Sequence, residues 1–210
     1  MSNVRTLDTS NTRQLIDEFS YVLMAHGTAI FPTDTVYGIG CLATANNPAH
    51  KRIFELKERP AHQPLPWLIA DFDDVLTYAE KPSESALALA TELWPGALTL
   101  IVKASAEVPH EYCGANGTVA LRIPDFDVVR TLARECQAPL ATTSANPHGA
   151  PEAHCVAELD RTLMDSVDLV VDAGHTRHAH ASTIIDASGP DIRIIRHGAL
   201  SDERINEIVR

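Results

Sequence analysis

The sequence predicts an α+β protein, in which a mixed sheet of parallel and antiparallel strands is flanked by helices. Strand-like and helix-like segments mix along the chain without strict alternation, which favours such a sheet over a simple parallel one. Apolar residues make up 45% of the 210 residues, enough to form a buried core. No linker, repeat or low-complexity tract interrupts the pattern, so residues 1–210 are predicted to fold as a single domain.

An amphipathic helix is predicted near the start of the chain, over residues 11–26. Apolar side chains recur there at helical spacing, Ser10 or Asn11 supplies an N-cap, and Gly27 ends the helix. A short strand follows at residues 28–31, and after Pro32 the sequence indicates a hydroxyl-rich loop with two glycines. The remaining elements predicted in this half are a helix at 48–56, a strand at 66–70, and helices at 72–79 and 83–93.

The second half of the chain predicts more strands than helices. Strands are predicted at 97–102, 118–123, 139–143 and 169–171, and helices at 126–136 and 155–164. Ser188-Gly-Pro190 is a turn signal between two further strands, 182–186 and 192–196, and indicates a hairpin. Ser201 caps a last helix that extends to Val209.

The charge balance excludes some classes of partner. The chain has 17 basic and 28 acidic residues and a formal charge of -11. Autonomous binding of tRNA or of an anionic membrane is therefore disfavoured, because both demand a basic surface. A local basic pocket remains compatible with this charge.

Cysteine usage and hydropathy predict a cytoplasmic protein. The four cysteines include no C-x-x-C pair and no spacing typical of a metal knuckle, which fits a reducing compartment. The N-terminal residues 1–14 are polar and show no signal peptide. No apolar run approaches the ~18 residues of a membrane-spanning helix.

Cations and hydroxyls cluster where predicted elements end. Lys57 and Arg59 follow a helix, where such residues either complement the helix dipole or bind an anion. Residues 142–146, Thr-Thr-Ser-Ala-Asn, leave a buried strand as a dense set of polar groups, consistent with a turn or with a ligand site. Arg122 and Arg196 lie among apolar strand residues, and two such arginines favour an anion site.

Three other kinds of site are not supported. Gly38 and Gly40 do not form a dinucleotide fingerprint, because no helix opens directly at them, and no glycine-rich phosphate loop is present. Any nucleotide must then be held by side chains. His175, His178 and His180 have no nearby carboxylate or thiolate partner, so no protein metal site is predicted. The sequence contains no nucleophile-elbow motif, so it does not indicate a hydrolase.

A set of short motifs, in a characteristic order, resembles the YrdC-like threonylcarbamoyl-AMP synthase family. The set covers residues 29–200, and it resembles the short form of the family, with a single YrdC-like domain. The motifs are Pro32-Thr-Asp-Thr-Val-Tyr-Gly38, Lys57-x-Arg59-Pro60, Pro64-Leu65, Trp94-Pro-Gly96, Leu98-Thr99, Ala120-Leu-Arg122, Ser144-Ala-Asn146, Asp172-x-Gly174, Ser182-Thr183 with Asp186, and Arg196-x-Gly198.

The resemblance implies both a structure and an activity. The sheet would be twisted and would carry a deep concave cavity. Enzymes of this family join L-threonine, bicarbonate and ATP into threonylcarbamoyl-AMP and release pyrophosphate, which makes them nucleotidyltransferases. The product is the donor for the threonylcarbamoyl group at adenosine 37 of tRNA, and a separate transferase complex receives it.

The resemblance also implies roles for ten side chains. Lys57 and Arg59 would be catalytic. The threonine-binding set is Thr33, Arg122, Thr142 and Ser182, and the ATP-binding set is Lys57, Arg59, Thr118, Ser144, Asn146 and Arg196. Mg²⁺ would be carried mainly by ATP, because it keeps waters and uses few protein ligands.

Some positions depart from the family pattern, and two alternative functions are weighed against the enzyme. His148 and Glu152 stand where the family commonly has hydroxyl residues. One alternative is a non-catalytic or RNA-binding paralogue like the YciO branch. Lys57-x-Arg59 and Ser144-Ala-Asn146 favour the enzyme over it. The other is a carbamoyl-transfer module of hydrogenase maturation, which would need additional domains.

Overall fold

A computed structural model describes residues 3–60, 63–114, 116–147, 149–178 and 180–209. In these residues ten strands form one sheet, in the order β1-β8-β2-β3-β7-β4-β6-β5-β9-β10. The strands are β1 (Val4–Thr6), β2 (Ala29–Pro32), β3 (Tyr37–Leu42), β4 (Trp67–Leu68), β5 (Leu98–Lys103), β6 (Thr118–Arg122), β7 (Leu140–Ser144), β8 (Leu169–Asp172), β9 (Thr183–Asp186) and β10 (Arg193–Arg196).

The described residues also contain seven α-helices. They are α1 (Thr12–Met24), α2 (Pro48–Lys57), α3 (Asp73–Tyr78), α4 (Glu84–Leu93), α5 (Asp127–Glu135), α6 (Arg161–Ser166) and α7 (Asp202–Ile208). Two short 3₁₀ helices, His110–Tyr112 and Val156–Glu158, complete the set. None of the helices in the described ranges is long and apolar enough to cross a membrane.

The pairing of the strands confirms the predicted mixed sheet. The pairs β1–β8, β8–β2, β4–β6 and β5–β9 are parallel, and the other five neighbouring pairs are antiparallel. The predicted hairpin is β9 with β10. Helices flank the sheet, as the sequence predicted.

Three elements differ from the sequence prediction. The loop predicted after Pro32 is wrong beyond residue 36, because β3 runs there between β2 and β7. Its two glycines lower the strand signal, but they are needed for close packing. No strand was predicted for the polar N-terminus, yet β1 pairs with β8 at the sheet edge. The single helix predicted at 155–164 is interrupted, because the Asp160 side chain accepts from Leu163 N–H and starts α6 afresh.

The ends of α1 also differ from the prediction. Asn11 precedes the helix, but its side chain bonds to Asp8 N–H and Thr6 O and does not cap the helix. At the other end His26 takes the left-handed conformation with φ 60, and Gly27 N–H closes back on Val22 O at 2.9 Å. Gly27 is needed for close approach, because a Cβ there would lie 2.6 Å from that same oxygen.

The two faces of the sheet enter two different cores. On β2, Ala29 and Phe31 pack into a core beneath α1 and α5, whereas Ile30 points to the larger core on the opposite face. Residues of α2, α4, α6 and α7 cover that opposite face. Among the described residues, the α1/α5 core takes no side chain from β5, β6, β9 or β10. Two side chains on that part of the face, Thr99 and Arg122, are polar and buried.

Gly198 follows β10 and packs closely against the backbone of Ala181 and Ser182, just before β9. A Cβ at this position would lie 2.4 Å from Ala181 O and 2.6 Å from the Ser182 carbonyl, and backbone cannot easily move away. Gly198→Ala is expected to lower the free energy of unfolding by about 1–3 kcal/mol, as overpacking does. Gly189→Ala is the matched control, because nothing lies within 4 Å of its Cβ, and it should change stability by less than about 0.5 kcal/mol. Urea denaturation of both variants measures the difference, and equal midpoints would contradict this packing.

Candidate active site

A polar cavity of about 170 Å³ lies on the part of the sheet face that α1 and α5 leave uncovered. Strand alternation builds its floor. Leu98, Leu121 and Ile185 belong to the large core, so the residues that follow Leu98 and Leu121 and precede Ile185 point the other way. These residues are Thr99, Arg122 and Ile184, and all three line the cavity.

The turn between β2 and β3, residues 33–36, forms one wall of the cavity. Thr33 Oγ1 donates to Val36 O at 2.8 Å and accepts from the backbone N–H groups of Thr35 and Val36 at 3.2 and 3.3 Å. The Thr33 and Thr35 hydroxyl oxygens are 3.0 Å apart and share a further hydrogen bond. Thr33 therefore lines the cavity and also holds the turn that forms its wall.

Gly38 and Gly40 on β3 make room for Thr142 on the neighbouring strand β7. A Cβ on Gly38 would lie 2.6 Å from the Thr142 methyl group, and one on Gly40 would lie 2.7 Å from its hydroxyl oxygen. The pairing of Gly40 with Thr142 and of Gly38 with Ser144 brings both hydroxyl residues to the cavity. The glycines act through strand packing rather than through a phosphate loop.

Arg122 ends β6 and is 5% exposed. Its Nη2 donates to Asp34 Oδ1 at 2.6 Å, its Nη1 to Thr35 Oγ1 at 2.9 Å, and its Nε to Gly96 O at 2.9 Å. A guanidinium has five N–H donors. Within the described residues, two of the five are therefore unused, one on each terminal nitrogen. Guanidinium N–H pairs are common partners of carboxylates.

Asp34 is the counterion of this arginine, and its side chain is fully buried. Its Oδ2 has no hydrogen-bond partner in the described part of the chain. Burial lowers the pKa of Arg122, while the Asp34 carboxylate acts in the opposite direction. Because a guanidinium is not deprotonated in proteins, Arg122 remains a cation.

Arg59 and Arg196 add two further cations to the cavity wall. Arg59 Nε donates to Gln63 O at 3.1 Å, and Arg196 donates to Ser182 O through Nε and Nη2 at 3.1 and 2.9 Å. Burial lowers the pKa of Arg59, and the positive charge of Arg196 lowers it further. The same Arg196 charge acts on the pKa of Arg122. Mutually repelling guanidinium groups in one cavity are stabilised by an anion.

Arg196 also orients a pair of hydroxyls. Its Nη2 lies 3.2 Å from Ser182 Oγ, and Ser182 Oγ shares a hydrogen bond of 2.8 Å with Thr99 Oγ1. Both hydroxyl residues are buried and line the cavity. Arg196 thus links β10 to the cavity floor on β5.

Lys57 ends α2 but points inward, and it is 3% exposed. Its Nζ donates to Ser144 O, to Asn146 O at 2.6 Å and to Asn146 Oδ1 at 3.3 Å. Burial, together with the charge of Arg59, lowers the pKa of Lys57 to about 8. In this structure its ammonium holds the segment after β7 in place behind the cavity wall.

Seven of the ten side chains proposed from the sequence meet at this cavity. They are Thr33, Arg59, Arg122, Thr142, Ser144, Ser182 and Arg196. Lys57 and Asn146 lie behind the wall and bond to each other. Thr118 begins β6 on the same face as Arg122, four residues and about 13 Å away. A ligand would have to extend along β6 to contact both.

The sequence analysis missed several residues of the site. Thr35 and Thr99 line the cavity and bond directly to residues that were proposed. Thr143, which the sequence analysis included in the polar cluster 142–146 without an individual role, also lines the cavity. Asp34 is the buried partner of Arg122, a contact that the sequence analysis did not predict. Two signals were available for Thr99: its alternation with apolar Leu98 and Leu100, and its place in the Leu98-Thr99 motif.

No cluster of three or more metal-ligating side chains occurs within the ranges that the structure describes. Glu152 lines the cavity, although the sequence comparison placed it where a hydroxyl is common. His148, the other departure, lies outside the described residues.

The fold and the cavity together define an α+β domain with a polar, arginine-lined ligand site. The model of the Sua5/YciO/YrdC family, described as "Telomere recombination", matches residues 21–198, and the chain belongs to this family. Threonylcarbamoyl-AMP synthase of Pyrococcus abyssi is 37% identical over 207 residues, which are 95% of this chain and 60% of that protein. The enzyme of the same name from Bacillus subtilis is 34% identical over 196 residues, 92% of this chain and 56% of that protein.

Solved structures agree with the family assignment. Sua5 of P. abyssi complexed with L-threonine matches with a TM-score of 0.91 at 32% identity, over 98% of this chain and 60% of that one. YciO of E. coli has a TM-score of 0.85 over 96% of this chain and 98% of its own, but at 24% identity it shows the fold alone. The chain spans about 60% of the length of the P. abyssi relative.

The buried pair of Asp34 and Arg122 should dominate the stability of the cavity. Asp34→Ala leaves a buried guanidinium without its counterion and is expected to lower the free energy of unfolding by about 3–5 kcal/mol. Adding Arg122→Met should recover part of that loss, because the charge is then removed. Glu92→Ala breaks the exposed pair with Arg204 and should cost less than about 1 kcal/mol. Chemical denaturation measures all three, and similar losses for Asp34→Ala and Glu92→Ala would refute the buried pair.

Lys57 should make stability rise with pH in the alkaline range. Its pKa is about 8 in the folded protein and 10.5 in a model peptide, so between these values the unfolded chain holds the proton and the folded chain has released it. Stability rises with pH wherever the unfolded state binds more protons. Between pH 8 and pH 10.5 the free energy of unfolding of the native protein should therefore rise by up to about 3 kcal/mol relative to that of Lys57→Met. Lys51→Met, on the exposed face of α2, should leave the slope unchanged. Equal slopes for all three proteins would show that Lys57 is not desolvated.

Proposed function

We propose that this chain is an L-threonylcarbamoyladenylate synthase, a nucleotidyltransferase that joins L-threonine, bicarbonate and ATP and releases pyrophosphate. The observation that carries the proposal is the Arg122 guanidinium, buried at the cavity with two N–H groups that no described residue uses. A relative with this fold has been solved with L-threonine, and two relatives are named threonylcarbamoyl-AMP synthase.

The size of the cavity suits an amino acid rather than a whole nucleotide. Its volume of about 170 Å³ is below the ~300 Å³ at which pockets for larger ligands begin. In the proposal, Arg122 holds the threonine carboxylate, and the hydroxyls of Thr33, Thr142 and Ser182 surround the rest of the amino acid. The nucleotide then lies across the mouth of the cavity and extends along the open face of the sheet.

The proposed chemistry forms two bonds. Bicarbonate takes up a proton and loses water to give CO₂. The amine of threonine, after loss of a proton, attacks the carbon of CO₂, and loss of a second proton from nitrogen gives a carbamate. A carbamate oxygen then attacks the α-phosphorus of ATP, and the bond to the leaving pyrophosphate breaks. No covalent enzyme intermediate is required, so positioning and electrostatic stabilisation are what the protein must supply.

The arginines of the cavity wall act in the formation of the second bond, between the carbamate oxygen and the α-phosphorus of ATP. Arg59 and Arg196 act on the phosphates, where negative charge develops as pyrophosphate leaves. Lys57 acts from behind by fixing Ser144 and Asn146, and of these two Ser144 lines the cavity, where the nucleotide would contact it. Thr118 is far enough along β6 to contact the distal part of ATP. Mg²⁺ bound to ATP would offset the charge of the phosphates.

The fate of the product follows from the proposed activity. An acyl adenylate of this type is the activated donor for the threonylcarbamoyl group at adenosine 37 of tRNA. A separate tRNA threonylcarbamoyl transferase complex would receive it, and the substrates and destination correspond to a cytoplasmic reaction. The formal charge of -11 disfavours direct binding of tRNA by this chain, because phosphate contacts require clustered cations on the surface.

Release of pyrophosphate tests the proposal. Purified protein with ATP and Mg²⁺ should release pyrophosphate only when both threonine and bicarbonate are present. Arg59→Ala should reduce this rate by about 100-fold or more, because a fixed cation at the phosphates is lost. Arg204→Ala removes an exposed arginine paired only with surface glutamates, and it should retain full activity.

The outcomes separate the proposed enzyme from a binding paralogue. Pyrophosphate release that does not depend on threonine, or no release at all, rejects the synthase. Retardation of tRNA on a gel in moderate salt, without turnover, would support an RNA-binding paralogue. Full activity of Arg59→Ala would place the phosphate site elsewhere.

A further inference from the structure

Glu152 is a carboxylate in a cavity that is otherwise built from cations, hydroxyls and apolar groups. Within the described residues it is the sole acidic side chain that lines this cavity. It is half-buried, in the segment that follows the Ser144–Asn146 loop, next to the fully packed Ala153. The nearby Asp34 is already committed to Arg122 and is fully buried.

The Glu152 carboxylate interacts electrostatically with cations of the site, but among the described residues it forms no direct bond with any of them. Its carboxylate raises the pKa of Arg196 and of Lys57, against the effect of burial on each. In the part of the chain that the structure describes, its side chain forms no ion pair within 4 Å and no hydrogen bond. The carboxylate therefore stands near Arg196 and Lys57 with its oxygens available to a ligand.

An isolated carboxylate is unfavourable in a site that must receive phosphates. Like charges repel strongly in a partly desolvated cavity, so Glu152 and a bare triphosphate would oppose each other there. A divalent cation between the two removes this conflict. Mg²⁺ takes oxygen ligands and is commonly bound by one or two carboxylates together with substrate phosphates and waters. One carboxylate facing a phosphate site matches that donor set.

We propose that Glu152 binds the Mg²⁺ that ATP brings to the cavity, and so makes nucleotide binding dependent on the divalent cation. This inference rests on the proposed function, since it requires ATP at this cavity. It assigns to Glu152 a role that hydroxyl residues could not fill in the same way, because a neutral hydroxyl neither repels the phosphates nor neutralises the cation. Arg59 and Arg196 then contact phosphate oxygens that Mg²⁺ leaves uncoordinated.

Binding of ATP without threonine tests the assignment, because it needs no turnover. Isothermal titration calorimetry with ATP in MgCl₂ and in EDTA should show at least about tenfold tighter binding with Mg²⁺ for the native protein. Glu152→Gln keeps the shape and removes the charge, so this ratio should fall severalfold. Part of this decrease in the ratio should come from tighter ATP binding in EDTA, because Glu152→Gln removes the repulsion between the carboxylate and the phosphates. Glu152→Asp should restore part of the Mg²⁺ dependence. Glu80→Gln, an exposed glutamate outside the cavity, is the matched control and should behave as the native protein.

A second readout follows the metal itself. Mn²⁺ in place of Mg²⁺ broadens protein resonances near its binding site, so with ATP present the signals of residues around Glu152 should broaden in the native protein and far less in Glu152→Gln. An unchanged ratio and unchanged broadening in Glu152→Gln would overturn the assignment and leave the proposed function standing. Failure of the native protein to bind ATP under either condition would overturn both.

Discussion

The ion pair between Arg122 and Asp34 connects the parts of the molecule that form the site. Arg122 ends β6, and Asp34 lies in the turn between β2 and β3, which are four and three positions from β6 in the sheet order. A third bond, from Arg122 Nε to Gly96 O, ties in the segment before β5. Neither charge is exposed, so the pair must be kept together by the fold around it. The position of the turn, the cavity wall and the unused N–H groups all depend on this one contact.

The site concentrates positive charge in a protein whose net charge is strongly negative. Three guanidinium groups line a small cavity, and a lysine ammonium lies directly behind its wall. Each of the three arginines is partly neutralised or restrained by carbonyls, hydroxyls or one carboxylate. An arrangement of this kind attracts anions locally, while the acidic remainder discourages long polyanions. A small substrate and a single nucleotide fit this distribution better than a nucleic acid does.

Most of the fold could be predicted from local patterns. The apolar periodicity of α1, the β-branched runs of β5 and β6 and the turn between β9 and β10 are each encoded by neighbouring residues. Elements defined by partners could not be predicted in this way. β3 contains two glycines that weaken its strand signal, and only its position between β2 and β7, with Thr142 packed against both glycines, makes it a strand. β1 has no apolar run that would predict a strand, and it is a strand because its backbone pairs with the edge of β8.

For the site, the sequence by itself determined which residue types were available: arginines in apolar strands, hydroxyls at strand ends, and their order along the chain. That order indicated the family, and seven of the ten proposed side chains do line one cavity. Only the arrangement of the strands shows which of them line the cavity. Lys57 looks like an exposed cation at a helix end, but its long side chain turns inward because three acceptors, on the last residue of β7 and on Asn146, lie within its reach. Asp34 and Thr99 became site residues only because the sheet brings distant strands together, a proximity that no local pattern in the chain records.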